Sequence, residues 1–328
     1  RVLSNVVQSQ VDIHAEFGGV VPEVAARSHI EVVNPVIRSA LAKASCTWDD
    51  IDAIAVAYAP GLIGSLLVGV LAARTLAILK NKPLYAVHHV EGHVYANFIT
   101  AQQVNLQYQL PAHAPTFPML ALAVSGLHSQ LIMFKNHGDY MLLGQTYDDA
   151  VGEAFDKVAR ILGLPYPGGP SIAAAALNGD PHTYKLPKAR LSSPYDFSFS
   201  GLKTAVLRAV QREVGVDHTF PSSGLAARLN DVQRANFAAS FQYTAVKTLV
   251  DAAEAAYSEY HPASVVIAGG VAANQELRRQ LTERLPLPIE YAPMQLCTDN
   301  GAMIAALGYY YAQECEPIDP YTLEAIPS

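Results

Sequence analysis

The stretch "HHVEGHV" at residues 88–94 sets His89 and His93 four apart, with Glu91 between them. Residues four apart share one face of a helix, so both imidazoles can point at one metal ion. A zinc protease of the H-E-x-x-H kind places its glutamate directly after the first histidine. Here the glutamate comes two residues after His89, about 200° round a helix of 3.6 residues per turn. Glu91 therefore faces away from any metal held by the two histidines, and protease chemistry fits poorly. Further along, "CTDNGAMIAA" places Asp299 and Asn300 just before an Ala-rich helix. That aspartate can either cap the helix or serve as a third metal ligand.

Glycine turns form the second group. In "IAGGVAAN" a strand ends at Gly269 and Gly270 and a helix begins within a few residues, with Asn274 placed to cap it or to bond a ligand hydroxyl. Helix N-termini expose unpaired N–H groups, and glycine lets a phosphate approach the backbone. "AVSGLHSQ" is a turn between strands whose N–H groups could cradle an anion or a carbonyl; a plain hairpin turn is the simpler account. "DDAVGEAFDK" sets Asp149, Glu153 and Asp156 at spacings of four and three, an acidic stripe that is either a solvated face or a carboxylate aimed at ribose hydroxyls.

The elements that must position these groups alternate. The opening "VLSNVVQSQVDIHAE" reads as a strand, and a long helix is expected from Pro22 to about Ala44, with proline in its first turn. "TWDD" supplies a capping turn, "DAIAVAYA" a strand, "PGLIGSLLVGVLAARTLAIL" a helix, and "PLYAVHHV" a second strand running into the histidines. Residues 101–118, with Pro111, Pro115 and Pro118, read as a linker. Beyond it come a hairpin series ("MLALAVS", "SQLIMFK", "YMLLGQT"), the helix of the acidic stripe, the rigid loop "LPYPGGP", and another strand–glycine–helix unit. The pattern predicts an α/β chain of two lobes with a cleft between them: residues 1–110 with 300–328, and 111–299.

Composition narrows the class. The chain has 328 residues, 51% of them hydrophobic, and a net charge of −7, which offers nucleic acid no general attraction. An RNA partner would need local basic clusters such as Lys80 with Lys82, Lys185 with Lys188 and Arg190, or Arg278 with Arg279. Cys46, Cys297 and Cys315 suit a reducing compartment better than a disulfide framework, so a cytosolic protein is expected. Every long apolar run is broken by Gly, Pro or Arg, and no membrane span is expected.

In order along the chain, "GGVVPEVAARSH", "PGLIGSLLVG", "HHVEGH", "VSGLHSQL", "DDAVGEAFDKVARILGLPYPGGP", "DFSFSGLKTAV", "IAGGVAANQELR" and "CTDNGAMIA" together resemble the tRNA threonylcarbamoyladenosine transferase family. The resemblance runs from Ser9 to about Gly308. It implies the two-lobed actin-like, sugar-kinase-like ATPase fold, and transfer of threonylcarbamoyl from threonylcarbamoyl-AMP to the adenosine beside the tRNA anticodon, releasing AMP. Carried over, it makes His89, His93 and Asp299 the ligands of one metal, iron or zinc. It makes Ala123, Val124, Ser125, Gly126 and Leu127 a substrate-binding loop, and gives Asp156, Gly169 and Asn274 the adenylate, with ATP, ADP or AMP as possible cleft occupants. The partners it implies are tRNA, a paralogous protein and a small P-loop ATPase.

Two departures stand out. The family's opening strand and "ETSCDET"-type turn are absent, so residues preceding Arg1 are expected in the natural polypeptide. Leu127 replaces a family glycine; it would be strained if that position needs positive φ, and would otherwise narrow the pocket. The alternative from another class is a non-catalytic paralogue acting as a docking partner in the same modification complex, though such relatives lack the histidine pair. A small-molecule kinase or ATPase on this fold would leave His89 and His93 unexplained.

Overall fold

Pro22 begins a 23-residue helix that ends at Ala44, because proline suits a helix's first turn and Ser45 adopts the left-handed conformation that closes one. In the computed structural model, which describes residues 1–100 and 110–327, this is the second helix. The chain ahead of it corrects one expectation. Residues 2–16 form no strand but an extended lead and a short helix, α1 (Val11–Ala15), followed by the long α2 (Pro22–Ala44). A strand needs a ladder partner for its backbone groups, and only Val2 makes a bridge here.

A 3₁₀ turn, closed by reciprocal bonds between Thr47 and Asp50, leads into β1 (Ile54–Ala59). Helix α3 (Ile63–Lys80) follows, then β2 (Leu84–His88), which pairs parallel to β1, and α4 (His89–Tyr95) starts with no intervening loop. By length and composition α3 is apolar enough to cross a membrane, with a mean hydropathy of 1.7, where every long apolar run had been expected to be broken by Gly, Pro or Arg. In this fold it packs on α2 and β1 and buries Val70, Ala73 and Ala77 with Leu84 and Leu323. Arg74 donates to the carbonyls of Pro320, Tyr321 and Leu323, tying the C-terminal segment to it.

The expected linker lies partly outside the described residues, at 101–109. After it come β3 (Met119–Val124), β4 (Ser129–Asn136) and β5 (Asp139–Gln145), antiparallel neighbours in sequence. Helices α5 (Val151–Leu162), α6 (Gly168–Ala176), α7 (Ser200–Glu213) and the 30-residue α8 (Asp231–Tyr260) lead to β6 (Ser264–Ala268), which lies parallel to β3. Then come α9 (Gln275–Arg284), β7 (Ile289–Tyr291), α10 (Met294–Cys297) and α11 (Gly301–Glu314). The sheet order is β5-β4-β3-β6-β7, and β3 is buried along its whole length. Such a strand must be apolar on both faces, as "MLALAV" is.

The chain separates into two compact units, residues 1–115 with 291–328, and residues 116–290. The boundary between Glu290 and Tyr291 gives Asp299 to the first unit, with His89 and His93, where the sequence reading had set it at the end of the second lobe.

Candidate functional site

Because β2 runs directly into α4, the histidines leave the end of a buried strand on the first turns of a helix. His89 and His93 sit one turn apart with ring centroids 4.7 Å apart and planes at 79°. Asp299 Oδ1 lies 3.5 Å from His89 Nε2 and 3.1 Å from His93 Nε2. One ligand atom from each residue falls within 4.8 Å of the others.

Two observations test whether these residues suit a metal. His93 is 4% exposed; its buried Nδ1 has no hydrogen-bond partner, and its buried Nε2 makes no hydrogen bond although Asp299 Oδ1 lies 3.1 Å away. An imidazole always carries at least one N–H or one lone pair per nitrogen, so such burial is costly unless another group engages it. Asp299, in turn, is not the helix cap. Asn300 is, accepting from the Met303 N–H, while the Asp299 side chain stays 80% exposed. The capping explanation is thus removed from Asp299. Two neutral nitrogen donors and one carboxylate oxygen form a donor set that fits a divalent metal with positions left open.

Glu91 turns away, as its spacing predicts. It is 4% exposed, and its Oε2 accepts from the Tyr311 hydroxyl at 3.0 Å. Its Oε1 lies 3.8 Å from His88 Nδ1. Burial holds the His88 pKa below its ordinary value, with the Glu91 charge opposing. At Gly92 α4 meets α11: a Cβ there would lie 2.9 Å from Ile304 Cδ1, the flexible end of that side chain. Sequence reasoning missed Tyr311, which lies 220 residues from Glu91 and belongs to no local pattern.

The remaining predicted residues lie in the second unit. Ala123 and Val124 end β3, and Ser125, Gly126 and Leu127 form the tight turn to β4. Ser125 closes that turn on itself: its N–H donates to His128 O, and its Oγ accepts from the Leu127 and His128 N–H groups. Leu127 has no positive φ and its side chain is 58% exposed, so its backbone is unstrained. Gly152 N–H donates to Ser125 O, and a Cβ at Gly152 would lie 2.6 Å from that oxygen. Gly269, at φ 84°, passes so near Val124 O that a Cβ would fall 2.4 Å away. Glycine thus brings the start of α5 and the end of β6 against one turn.

The acidic stripe divides. Asp149 precedes α5 and pairs with Lys157, which also reaches Glu153. Asp156 instead accepts from the Gly168 N–H at 2.6 Å; burial raises its pKa, and that bond opposes the rise. "PGGP" is not only a loop: Gly168 and Gly169 are the first residues of α6. Gly169, Gly126 and Gly270 all face open space where a Cβ would stand, so a ligand can reach the backbone there. Asn274 caps α9, accepting from the Leu277 N–H, and donates to Gln242 Oε1.

Comparison with known proteins adds the following. A family model described as TsaD, tRNA N6-adenosine threonylcarbamoyltransferase, matches residues 1–306. Proteins of that description from Thermomicrobium roseum and Symbiobacterium thermophilum are similar to this chain. The first is 49% identical over 319 residues, covering 95% of this chain and 86% of the relative. The second is 50% identical over 313 residues, covering 94% and 85%. A third, from Synechococcus sp. strain JA-3-3Ab, is 46% identical and covers 100% and 86%. Among solved structures, full-length HypF in its phosphate- and nucleotide-bound form superposes with a TM-score of 0.54 at 13% identity, over 82% of this chain and 40% of HypF. That likeness speaks for the fold alone, and it agrees with the actin-like α/β class expected from the sequence.

Proposed function

The chain belongs to the tRNA N6-adenosine threonylcarbamoyltransferase family, and from that premise we propose that it takes threonylcarbamoyl from threonylcarbamoyl-AMP and places it on the amine of the adenosine beside the anticodon. The observation that carries the metal part of the reading is the buried, unsatisfied His93 beside His89 and Asp299. These three side chains would hold one divalent ion, iron or zinc. When bound, it supplies a Lewis acid with open positions for an acyl oxygen.

The residues of the second unit do the nucleotide work. The turn of Ala123, Val124, Ser125, Gly126 and Leu127 offers backbone groups to the donor, while Asp156 and Asn274 offer a carboxylate and an amide to the adenylate. Gly169 leaves room for backbone approach at the start of α6, where a helix N-terminus favours an anion. The tRNA amine attacks the activated carbonyl, a new N–C bond forms, the bond to the phosphate oxygen breaks, AMP departs with the electron pair, and the proton lost by the amine passes to solvent. No protein nucleophile is needed; orientation and electrostatics lower the barrier. tRNA is the acceptor, and in this reading a paralogous protein and a small P-loop ATPase assist it in the cytosol.

The test is a single-turnover reaction of the purified chain with those partners, threonylcarbamoyl-AMP and unmodified tRNA, read by nucleoside mass spectrometry. Threonylcarbamoyladenosine should appear, and should be lost in His93→Ala. Product formation undiminished in His93→Ala would remove the metal from the mechanism.

A further inference from the structure

A seven-residue helix is too short to hold its own orientation, so α4 must take its position from its neighbours. His89 and His93 occupy one side of it. Glu91 points about 180° from the mean of the two imidazoles, at roughly 100° per residue. On that far side its carboxylate is 4% exposed and accepts from the Tyr311 hydroxyl at 3.0 Å. Tyr311 belongs to α11, the helix that begins two residues after Asp299. The same two helices meet at Gly92, whose Cβ position lies 2.9 Å from the flexible end of the Ile304 side chain.

A buried carboxylate is a costly way to fill space that an apolar side chain could fill. What it supplies is direction, because a hydrogen bond fixes rotation where an apolar contact does not. All three ligand atoms depend on how α4 is turned against the start of α11. We infer that Glu91 is a positioning residue for the metal group, acting through the Tyr311 hydroxyl to lock the histidine-bearing helix onto the helix that follows Asp299. This rests on the metal reading of His89, His93 and Asp299 and deepens it.

The experiment uses the full chain and metal alone. Zn(II) and Co(II) affinities are measured by competition with a chromophoric chelator, and the Co(II) ligand-field spectrum is recorded. The variants are Y311F, E91L, E91Q, the double variant E91L/Y311F, and H93A as the control for the site itself. Y311F and E91L should each weaken binding about 10-fold or more and alter the Co(II) spectrum, the size expected for a group orienting metal ligands. The double variant should be no weaker than E91L alone, since E91L already removes the bond that Y311F breaks, together with the contact to His88. E91Q keeps an oxygen for Tyr311 and should rescue binding to within about 3-fold of the wild type on the same scale.

Y311F changes a single hydroxyl, so it answers the question even if E91L fails to fold. Y311F with wild-type affinity and spectrum overturns the inference, as does E91Q falling as far as E91L. A wild-type chain that binds no metal, or binds it as well in H93A, overturns the metal reading itself and this inference with it. Loss in H93A with no change in Y311F overturns the inference alone.

Discussion

Asp299 and Asn300 are adjacent acid and amide, and the structure gives them separate duties. Asn300 accepts from Met303 N–H and caps α11, while Asp299 stands beside the histidines. Asn300→Ala should therefore lower stability by about 1 kcal/mol, the usual cost of losing a cap. Asp299→Asn should leave the thermal midpoint unchanged and weaken metal binding. Thermal unfolding paired with metal stoichiometry separates the two, and a destabilised Asp299→Asn would mean the carboxylate is structural. Leu127 allows a similar test. With ordinary φ and an exposed side chain it carries no strain to relieve. Leu127→Gly should lower stability, by up to about 1 kcal/mol, because glycine gains freedom in the unfolded chain. A stabilised Leu127→Gly would show that the turn prefers glycine after all. Residue types and spacing made the histidine pair and the direction of Glu91 readable in advance. The partner of Glu91 was not readable, since only the packing of α4 on α11 brings Tyr311 to it.

At the scale of elements, the start of α2 was legible because proline marks a helix's first turn, whereas its end rests on the left-handed φ of Ser45, which the residue type does not announce. Nothing comparable marks residues 2–16, where apolar alternation suggested a strand that finds no ladder. The start of α5 shows the same division. Its amphipathic face, with Val151, Ala154, Phe155, Val158 and Leu162 buried, announces a helix. That Asp149 falls outside it, and that Gly152 must be glycine, follow only from the turn packed on it. By propensity alone Gly152→Ala would add up to about 1 kcal/mol to a helix. The Cβ would lie 2.6 Å from Ser125 O, however, and backbone cannot yield as a flexible side chain does. Overpacking should win, and Gly152→Ala should cost about 1–3 kcal/mol by urea denaturation. A more stable Gly152→Ala would show that α5 and the turn are not held together as described.

For the molecule as a whole, the charge balance matters more than its sum of −7. Each basic cluster singled out in the sequence spends a member internally. Lys80 lies over the Trp48 ring, Lys188 pairs with Asp251, Arg278 donates to Ala272 O, and Arg279 pairs with Glu276 and Glu283. Among the described residues Asp251 gathers three cations: Lys188 from the segment before α7, Lys247 from its own helix α8, and Arg284 from the end of α9. Burial alone would raise its pKa, but the three cationic donors overcome that and bring it to about 2. A carboxylate whose pKa is depressed in the folded state binds protons more readily when unfolded. Its contribution is therefore complete above the unfolded value near 3.8 and is lost as pH falls toward 2. The shift corresponds to about 1–2 kcal/mol once screening of the side chain's water-exposed part is allowed for. Asp251→Asn should lose that amount at pH 7, and more if the three cations are left crowded together. It should also show a shallower fall in stability than the wild type between pH 4 and 2, by urea unfolding of both proteins across that range. Parallel pH curves would mean that the acid sensitivity resides in other carboxylates and that this hub joins the three segments without stabilising them.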